Sequence, residues 1–379
     1  MRIAICTDQY KPMLSGAVDS IQALALQLMK NGHEVRIYAP ALRGAKTDEH
    51  VFLFPAYSIP GTADAFIIVL PTGAMADIKK FKPDIIHTNF PGVAGFFAWY
   101  ASRRLKVPFI GTDHTLPADY LHYLNLDYRP FRWFVRRFSS WFYNKCLIIT
   151  APSKHVLDEL ADYGCSRPMQ QISNPILTDL FRPLEGKDVL KQKYGIGRKA
   201  VLVFGRLAVE KNLDFALDIF ADVAEKSDAE LVFIGDGPSR TVLEQKVNQK
   251  ALTSRVHFLG TLRGEVLVEA INTCDAFLIT SLSDTQSMAM LQAMAVGLPV
   301  VAIRAGGLPE YVEEGVTGYV VDPKNRTAFV EHLLKILNDP ELERTLGEKG
   351  RVSSLKFSPE NITKQFEEVY KKALSSKGF

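Results

Sequence analysis

The sequence predicts an α/β protein with two domains, each built on a parallel β-sheet covered by helices on both faces. First, short continuous apolar runs alternate with helical patterns, which is typical of strands buried on both faces. Second, this alternation breaks after Pro175 and restarts at Ala200. Third, a length of 379 residues, with 47% hydrophobic and 23% charged side chains, suits two globular domains.

Five apolar runs in the first half are predicted to be strands: RIAICT, EVRIYAP, IIHTN, FIGTDH and LIITAPS. Helical patterns follow most of them, including Asp19–Asn31 and Ser153–Tyr163. The irregular segment ILTDLFRPLEGKD then separates the two halves of the chain. We therefore predict a first domain over residues 1–173 and a linker over residues 174–196.

Six further runs restart the pattern in the second half: AVLVFG, ELVFIGDG, VHFLG, AFLITS, PVVAI and GYVVD. They predict a second domain over residues 197–357. A helix over Ser358–Leu374 is predicted in the C-terminal segment 358–379. Two Rossmann-like domains facing each other across a cleft are the economical interpretation, and ligands of such sheets bind beyond the carboxyl ends of the strands.

Charge and cysteine content restrict the classes of function. A formal net charge of +3 is close to neutral for this length, so nucleic acid is not an expected partner. The four cysteines form no C-x-x-C pair and lie mostly in apolar runs, which predicts reduced core thiols of a cytosolic protein. The N-terminal apolar run is too short for a signal peptide, and no apolar run of about 18 residues predicts a membrane span.

The segment SLSDTQSMAMLQAMAVGLPVVA, residues 281–302, is the strongest indication of a binding site. Ser287 is placed to cap a helix that starts at Met288, and Gly297 ends that helix before a buried strand. A polar loop entering a helix offers free N–H groups to a phosphate or to sugar hydroxyls. Gly306-Gly307 predicts a second such turn with a second helix. The alternative is an ordinary loop–helix–strand unit.

A basic loop follows the first strand of the second half. Gly205 begins a turn in which Arg206 and Lys211 precede a helix. Arginine offers a planar fork and lysine a point charge, and this combination suits a diphosphate. The alternative is that both side chains are solvated on a surface loop.

Two features of the first half lie at strand ends. The loop after the first strand carries Gly16 but lacks G-x-G-x-x-G, so dinucleotide binding has little support, and a plain turn is the alternative. His114 follows the fourth strand. A lone histidine is more often structural than catalytic, and His87, His122 and His155 do not complete a metal site with it.

The stretch YRPFRWFVRRFSSWFYNK, residues 128–145, is rich in aromatic and basic side chains. Helical spacing groups its aromatic residues Phe131, Phe134, Phe138 and Trp141. The same spacing places three arginines on another side of the helix, Arg129, Arg132 and Arg136. Such a helix suits attachment to an anionic membrane surface. The alternative buries the aromatic face in the domain core and leaves the arginines in solvent.

Together these segments resemble the family 4 retaining glycosyltransferases, whose GT-B architecture has two Rossmann-like domains. The resemblance rests on G-R-L-x-x-x-K-N at residues 205–212 and on the stretches LQAMAVGLPVVA and GGLPEYVEEGVTGYVVDP. It also rests on the spacing of two positions that are acidic in the family. Here they are Asp284, which is one methylene shorter than Glu, and the uncharged Gln292.

The resemblance implies a nucleotide-sugar donor site in the second domain. Gln292 would hold the ribose hydroxyls, and Asp284 would reach toward the donor sugar. Arg206 and Lys211 would stabilise the charge of the leaving diphosphate. The other donor-binding positions that it implies are Gly16, Gly205, Asp236, Leu262, Thr285, Gln286, Ser287 and Met288.

The resemblance also implies roles for the first domain. His114 would contact the donor sugar near the reacting carbon, with Asp113 as its neighbour. The segment Asp119–Tyr123 is similar to relatives that glycosylate diacylglycerol. This similarity assigns Tyr120 to the acceptor or the membrane, where the amphipathic pattern already places the three arginines named above. The C-terminal helix would pack back on the first domain, as it does in relatives.

We therefore predict a metal-independent, retaining hexosyltransferase that uses a UDP-sugar, or alternatively a GDP-sugar, and a lipid or glycan acceptor hydroxyl. No D-x-D motif is present to hold a divalent cation, and no cofactor besides the nucleotide-sugar co-substrate is expected. The protein is expected to be a cytoplasmic monomer in peripheral contact with the inner face of an anionic membrane. One alternative is a catalytically weak sugar-nucleotide or glycan-binding protein of the same fold, and another is a nucleotide-sugar epimerase.

Overall fold

A computed structural model describes residues 1–13, 15–42, 44, 48–58, 67–69, 71–116, 118, 121 and 128–376. The chain forms two compact units, Met1–Pro175 joined by Pro359–Phe379, and Ile176–Ser358. Each unit is built on a largely parallel sheet with helices between its strands. The predicted fold class, two Rossmann-like α/β domains, is confirmed.

Within the residues that the structure describes, the sheet of the first unit has eight strands. They are β1 Arg2–Cys6, β2 Glu34–Ala41, β3 Val51–Ser58, β4 Ile67–Val69, β5 Ile85–Thr88, β6 Phe109–Thr112, β7 Ile149–Ala151 and β8 Met169–Gln171. Their order across the sheet is β4-β3-β2-β1-β5-β6-β7-β8, and only the edge strand β4 runs antiparallel to its neighbour. The residues that follow β1, β5 and β6 therefore meet at one edge.

Among the described residues of the first part of the chain, five helices cover this sheet. They are α1 Gly16–Lys30, α2 Ala74–Phe81, α3 Val93–Leu105, α4 Arg129–Tyr143 and α5 Lys154–Asp162. The core beneath them is strongly aromatic, with Tyr38, Phe54, Phe142 and Tyr143 completely buried. All four cysteines of the chain are buried and unpaired, as the apolar runs around them predict.

The sheet of the second unit has six parallel strands. They are β9 Ala200–Phe204, β10 Glu230–Ile234, β11 Val256–Phe258, β12 Ala276–Ile279, β13 Val300–Ile303 and β14 Gly318–Val321. Their order is β11-β10-β9-β12-β13-β14, so the strand order reverses between β9 and β12. Loops after these two strands flank the topological switch point, where open α/β sheets bind ligands.

Seven helices belong to the second unit: α6 Lys187–Tyr194, α7 Leu213–Lys226, α8 Arg240–Gln249, α9 Gly264–Asn272, α10 Met288–Val296, α11 Arg326–Asn338 and α12 Pro340–Ser354. The chain then returns to the first unit as α13, Pro359–Ser375, which packs against α1. The hydroxyl of Tyr370 on α13 lies 3.0 Å from Nδ1 of the buried His87 on β5. Burial lowers the pKa of His87 to about 3, so this buried ring is neutral.

Several elements differ from the sequence patterns. The sequence does not reveal β3, β4 and β8, because β3 contains Pro55 and the other two are three-residue strands without a readable period. The segment from Ile176 onward, assigned to the linker, belongs to the second unit and includes α6.

The second helix predicted after Gly306-Gly307 is wrong, since only a 3₁₀ turn, Leu308–Glu310, forms there. The chain bends away within a few residues to enter β14. Thr317 Oγ1 stabilises that bend by accepting a hydrogen bond from Glu313 N at 3.0 Å.

Candidate active site

Three loops at the carboxyl edge of the second sheet are held together by backbone contacts. Gly235, which follows β10, has φ +130°, and a Cβ there would lie 1.9 Å from Gly205 O. Gly235 N donates to Gly260 O at 2.8 Å, and Gly205 N donates to Ile234 O at 3.0 Å. The loops after β9, β10 and β11 are thus packed so closely that only glycine fits at position 235.

The basic loop after β9 is joined to the loop after β12 by an ion pair. Lys211 Nζ donates to Asp284 Oδ1 at 2.7 Å, and the two side chains are only 25% and 13% exposed. Thr280 Oγ1 donates to the carbonyls of Lys211 and Asn212 at 3.1 and 3.0 Å. The structure therefore brings together two residues that the sequence assigns to catalysis, across 73 positions of chain.

The loop that carries Asp284 is seated on the second glycine-rich turn. Gly307 N donates to Asp284 O at 2.9 Å. Gly306 has φ +54°, and a Cβ there would lie 2.5 Å from the same carbonyl oxygen. The Gly306-Gly307 pair therefore fixes the backbone of Asp284 rather than starting a helix of its own.

Helix α10 begins at this loop as the sequence predicts. Ser287 is its N-cap, and the Ser287 hydroxyl accepts a hydrogen bond from Met290 N at 3.2 Å. Thr285 and Gln286 are buried before it, and Met288 is half-buried in its first turn. Gln292 is 8% exposed. Its side-chain amide makes no hydrogen bond with the part of the chain that the structure describes, so both its donor and acceptor groups can serve a ligand.

The remaining donor-site candidates of the second unit lie on the same edge of the sheet. Arg206 is half-buried directly after Gly205, and Leu262 is half-buried in the loop after β11. Asp236 is exposed, and its carboxylate accepts hydrogen bonds from Gly237 N at 2.7 Å and Arg240 Nη1 at 3.4 Å. Their contact with a donor stays a prediction.

In the first unit, His114 lies buried between two asparagines. Its Nδ1 is 2.9 Å from Asn174 Oδ1, and its Nε2 is 2.9 Å from Asn89 Oδ1. Burial lowers the pKa of His114 to about 4, against a smaller raising effect of the Asn174 bond. Sequence reasoning missed both asparagines, although each lies just beyond a strand, where parallel sheets place their functional side chains.

Two buried carboxyl groups lie near the same edge. Asp8 Oδ1 accepts a hydrogen bond from Ala94 N at 2.9 Å at the start of α3, and burial raises the pKa of Asp8 to about 6. Asp113 Oδ1 accepts from Thr115 N at 3.2 Å, and burial raises the pKa of Asp113 to about 7. The Asp8 contact anchors the loop that leads to Gly16, the first residue of α1.

Helix α4 exposes much of its aromatic surface. Trp133, Phe134 and Trp141 are 65%, 55% and 44% exposed. The alternative that buries the aromatic face in the core is therefore wrong for Phe134 and Trp141. Of the three arginines assigned to the acceptor or the membrane, Arg129 is exposed whereas Arg132 and Arg136 are half-buried.

The expected solvation of all three arginines thus holds for Arg129 alone. The guanidinium of Arg136 lies 5.0 Å from the ring centre of Tyr163 and is engaged within the fold. Tyr120, the remaining acceptor candidate, lies outside the described residues.

Across the described residues, no group of three or more His, Cys, Asp or Glu side chains could hold a metal ion. No helix in that part of the chain is long and apolar enough to cross a membrane.

Two protein families match the chain in succession. Glycosyltransferase Family 4 matches residues 14–180, and Glycosyl transferases group 1 matches residues 186–353. These two matches correspond closely to the two α/β units.

Curated relatives match over most of their length. The chain is 30% identical to the alpha-monoglucosyldiacylglycerol synthase of Streptococcus pneumoniae, over 100% of this chain and 87% of that protein. It is 29% identical to a GDP-mannose-dependent alpha-mannosyltransferase of Corynebacterium glutamicum, over 85% and 77% of the two chains.

Solved structures share the fold. HepE of Anabaena, crystallised with UDP, matches with a TM-score of 0.79 at 20% identity, over 98% of this chain and 100% of that one. Another crystal structure of HepE contains UDP-glucose.

The seat of Asp284 gives a test of the site. Gly306→Ala should lower affinity for UDP by about tenfold or more. The new Cβ would displace the backbone carbonyl of Asp284, and the Asp284 carboxylate that pairs with Lys211 would move with it. Isothermal calorimetry measures this change. Gly315→Ala is the matched control, since Gly315 also has a positive φ of +70° but nothing within 4 Å of its Cβ position. Equal affinities of the two variants would contradict the assignment.

Proposed function

Since this chain belongs to glycosyltransferase family 4, we propose that it transfers a hexosyl group with retention from a nucleotide-diphosphate sugar to a lipid hydroxyl. The observation that carries this proposal is the Lys211–Asp284 ion pair of 2.7 Å, three residues before the N-cap of α10. It holds an ammonium group beside a helix N-terminus, where a diphosphate finds both a cation and backbone N–H groups. UDP-sugars are the favoured donors and GDP-sugars the alternative.

The proposed chemistry is displacement of the diphosphate at the anomeric carbon. The acceptor oxygen forms its bond to this carbon on the face from which the diphosphate oxygen departs, and a donor phosphate oxygen takes the acceptor proton. Lys211 and Arg206 stabilise the charge that develops on the leaving group. A lysine has three donors, so Lys211 can keep its bond to Asp284 while it donates to a phosphate oxygen.

Retention is supported by the relatives. Two of them are named for alpha-linked products, the alpha-monoglucosyldiacylglycerol synthase and the GDP-mannose-dependent alpha-mannosyltransferase. UDP-glucose and GDP-mannose themselves carry the sugar in α linkage. An enzyme that makes an α product from such a donor retains the configuration.

The replacements at the two family acidic positions fit an active donor site. Compared with the acidic residues of the family, Asp284 preserves the negative charge and has Lys211 as its partner. Gln292 preserves an acceptor for ribose hydroxyls and adds an N–H donor. The competing function is that of a catalytically weak binding protein, which the loss of the family residues at these two positions favours. Such a protein would bind the donor but would not transfer its sugar.

A lipid acceptor is supported by the exposed face of α4. Trp133, Phe134 and Trp141 project apolar surface next to basic residues, among them the exposed Arg129 and Lys145. Lys145 Nζ lies 4.9 Å from the ring centre of Trp141, so charge and aromatic surface are contiguous. Aromatic rings with adjacent cations suit the headgroup region of an anionic membrane. We propose that this face lies on the membrane that supplies the acceptor.

The direct test is transfer by the purified protein. Radiolabelled UDP-glucose, UDP-galactose and GDP-mannose are each incubated with vesicles of diacylglycerol or monoglucosyldiacylglycerol in anionic phospholipid, with and without EDTA. We expect one donor to give an alpha-linked glycolipid, at a rate that EDTA leaves largely intact. If the protein binds UDP but neither transfers the sugar nor hydrolyses the donor, the binding-protein alternative would be favoured. Loss of transfer with EDTA, restored by magnesium, would contradict metal independence.

The charge-stabilising role of the basic loop has its own test. Lys211→Ala and Arg206→Ala should each lower kcat by about a hundredfold or more, the scale of losing one group that stabilises transition-state charge. Steady-state kinetics with the preferred donor measure this loss. Lys349→Ala is the control, because it removes a positive charge from an exposed position elsewhere in the second unit. Near wild-type rates for both loop variants would overturn the diphosphate assignment.

Gln292 is tested by a pair of substitutions. Gln292→Glu should preserve or strengthen UDP binding, because charge-assisted hydrogen bonds to the ribose are the stronger kind. Gln292→Leu should weaken it by about 1–3 kcal/mol, because ribose hydroxyls in a dry site lose their partner. Calorimetry against the three proteins compares them. Equal affinities throughout would mean that the ribose does not bind at Gln292.

Membrane contact is tested on α4. The double variant Trp133→Ser/Phe134→Ser should bind anionic vesicles at least about tenfold more weakly than the parent, because it removes exposed apolar area from the proposed contact. Vesicle sedimentation measures the binding. Val352→Ser on α12, at a residue that is 69% exposed, controls for loss of apolar surface elsewhere. Unchanged vesicle binding by the double variant would remove α4 from the membrane contact.

A further inference from the structure

The surroundings of His114 fix more than its position. Asn174 Oδ1 lies 2.9 Å from Nδ1 of the ring and also accepts a hydrogen bond from the Ser20 hydroxyl at 2.9 Å. Asn89 approaches Nε2 at 2.9 Å from the opposite side. The two asparagines follow β5 and β8, and Ser20 on α1 supports Asn174, so three elements of the fold fix the ring directly or through Asn174.

The unsatisfied amide nitrogen of Asn89 indicates one protonation state for this cluster. A neutral imidazole has one N–H, so it can donate to only one of the two asparagines and must accept from the other. Asn89 Nδ2 is buried and makes no hydrogen bond with the described residues when Asn89 Oδ1 faces the ring. If the Asn89 amide is turned so that its oxygen and nitrogen exchange places, Nδ2 faces the ring and donates to His114 Nε2. Both nitrogen atoms then have a hydrogen-bond partner. The proton of His114 then lies on Nδ1 and is donated to Asn174 Oδ1.

We propose that Asn89 and Asn174 are positioning residues that hold His114 as a neutral imidazole with its proton on Nδ1. Neither ring nitrogen then accepts a proton in the reaction. The ring instead offers an uncharged, rigid surface, oriented by two side-chain amides.

This inference rests on the proposed function for its chemical purpose. In glycosyl transfer, positive charge develops at the anomeric carbon, and an imidazolium nearby would oppose that charge electrostatically. The resemblance assigns His114 to the donor sugar near that carbon. Burial keeps the ring neutral by lowering the pKa of His114 to about 4, against a smaller raising effect of the Asn174 bond. An Asn89 amide that donates to Nε2 acts in the same direction as burial, and a neutral ring removes the repulsion. Two titratable groups near it are His87 on β5, which is also neutral, and the adjacent Asp113.

The protonation state is measured without any substrate. Long-range ¹H–¹⁵N correlation spectra of the full chain, labelled at histidine, report which ring nitrogen carries the proton at pH 7. His114→Gln identifies the His114 signals by their loss. We expect Nδ1–H with a bare Nε2. A proton on Nε2, or on both nitrogens at pH 7, would overturn the proposal even if the enzyme is fully active.

Two substitutions separate positioning from simple packing. Asn174→Ala should move the proton to Nε2, because the acceptor for Nδ1–H is gone. Asn89→Asp puts a carboxylate beside Nε2 and should raise the pKa of His114. The kcat of the Asn89→Asp variant should fall about tenfold or more at low pH, where His114 is protonated, and recover as the pH rises. The KM of this variant for the donor should change less than about threefold. Asn144→Ala, in the same unit, should leave the His114 spectrum unchanged.

A purely structural role predicts lower melting temperatures with unchanged tautomer and pH profile, and that result would refute positioning. If the wild-type chain shows the Nδ1–H tautomer but transfers no sugar, the clamp stands and the proposed function fails.

Discussion

The ion pair between Lys211 and Asp284 is the constraint on which the second unit's site depends. Burying two charges is costly unless geometry and hydrogen bonds offset their loss of hydration. The fold meets this condition through the backbones on both sides. Thr280 fixes the carbonyl of Lys211, and Gly306 and Gly307 seat the carbonyl of Asp284. A cation is thereby held in place before any ligand arrives, so little reorganisation is left for the binding step.

The first unit solves a different problem, the burial of polar side chains at strand ends. His87 is satisfied by Tyr370 and Thr112, and His114 by two asparagines. Burial keeps both rings neutral, since a buried imidazolium would lose its hydration. The contact with Tyr370 also ties α13 to the centre of the first sheet. The hydrogen bonds thus satisfy the polar atoms of both rings, while burial keeps the rings uncharged.

Helix α4 shows the opposite balance, because it leaves large aromatic side chains in solvent. Exposed Trp133 and Phe134 contribute little to the core, and such surface normally marks an interaction site. Buried Phe142 and Tyr143 at the end of the same helix hold it to the sheet. One end of α4 therefore serves the fold, while its exposed face is available to a membrane surface.

The sequence by itself determined that there are two largely parallel sheets, though not β3, β4 and β8 of the first. It also determined the cap at Ser287 and the placement of Arg206 and Lys211 in the loop after β9. Continuous apolar runs and local turn residues act within a few positions, so they can be interpreted along the chain. Only the tertiary structure decided which partners meet. His114 finds its asparagines 25 and 60 positions away, and no local pattern encodes those distances. The same holds for α4, because periodicity defines an aromatic face but not whether another element covers it.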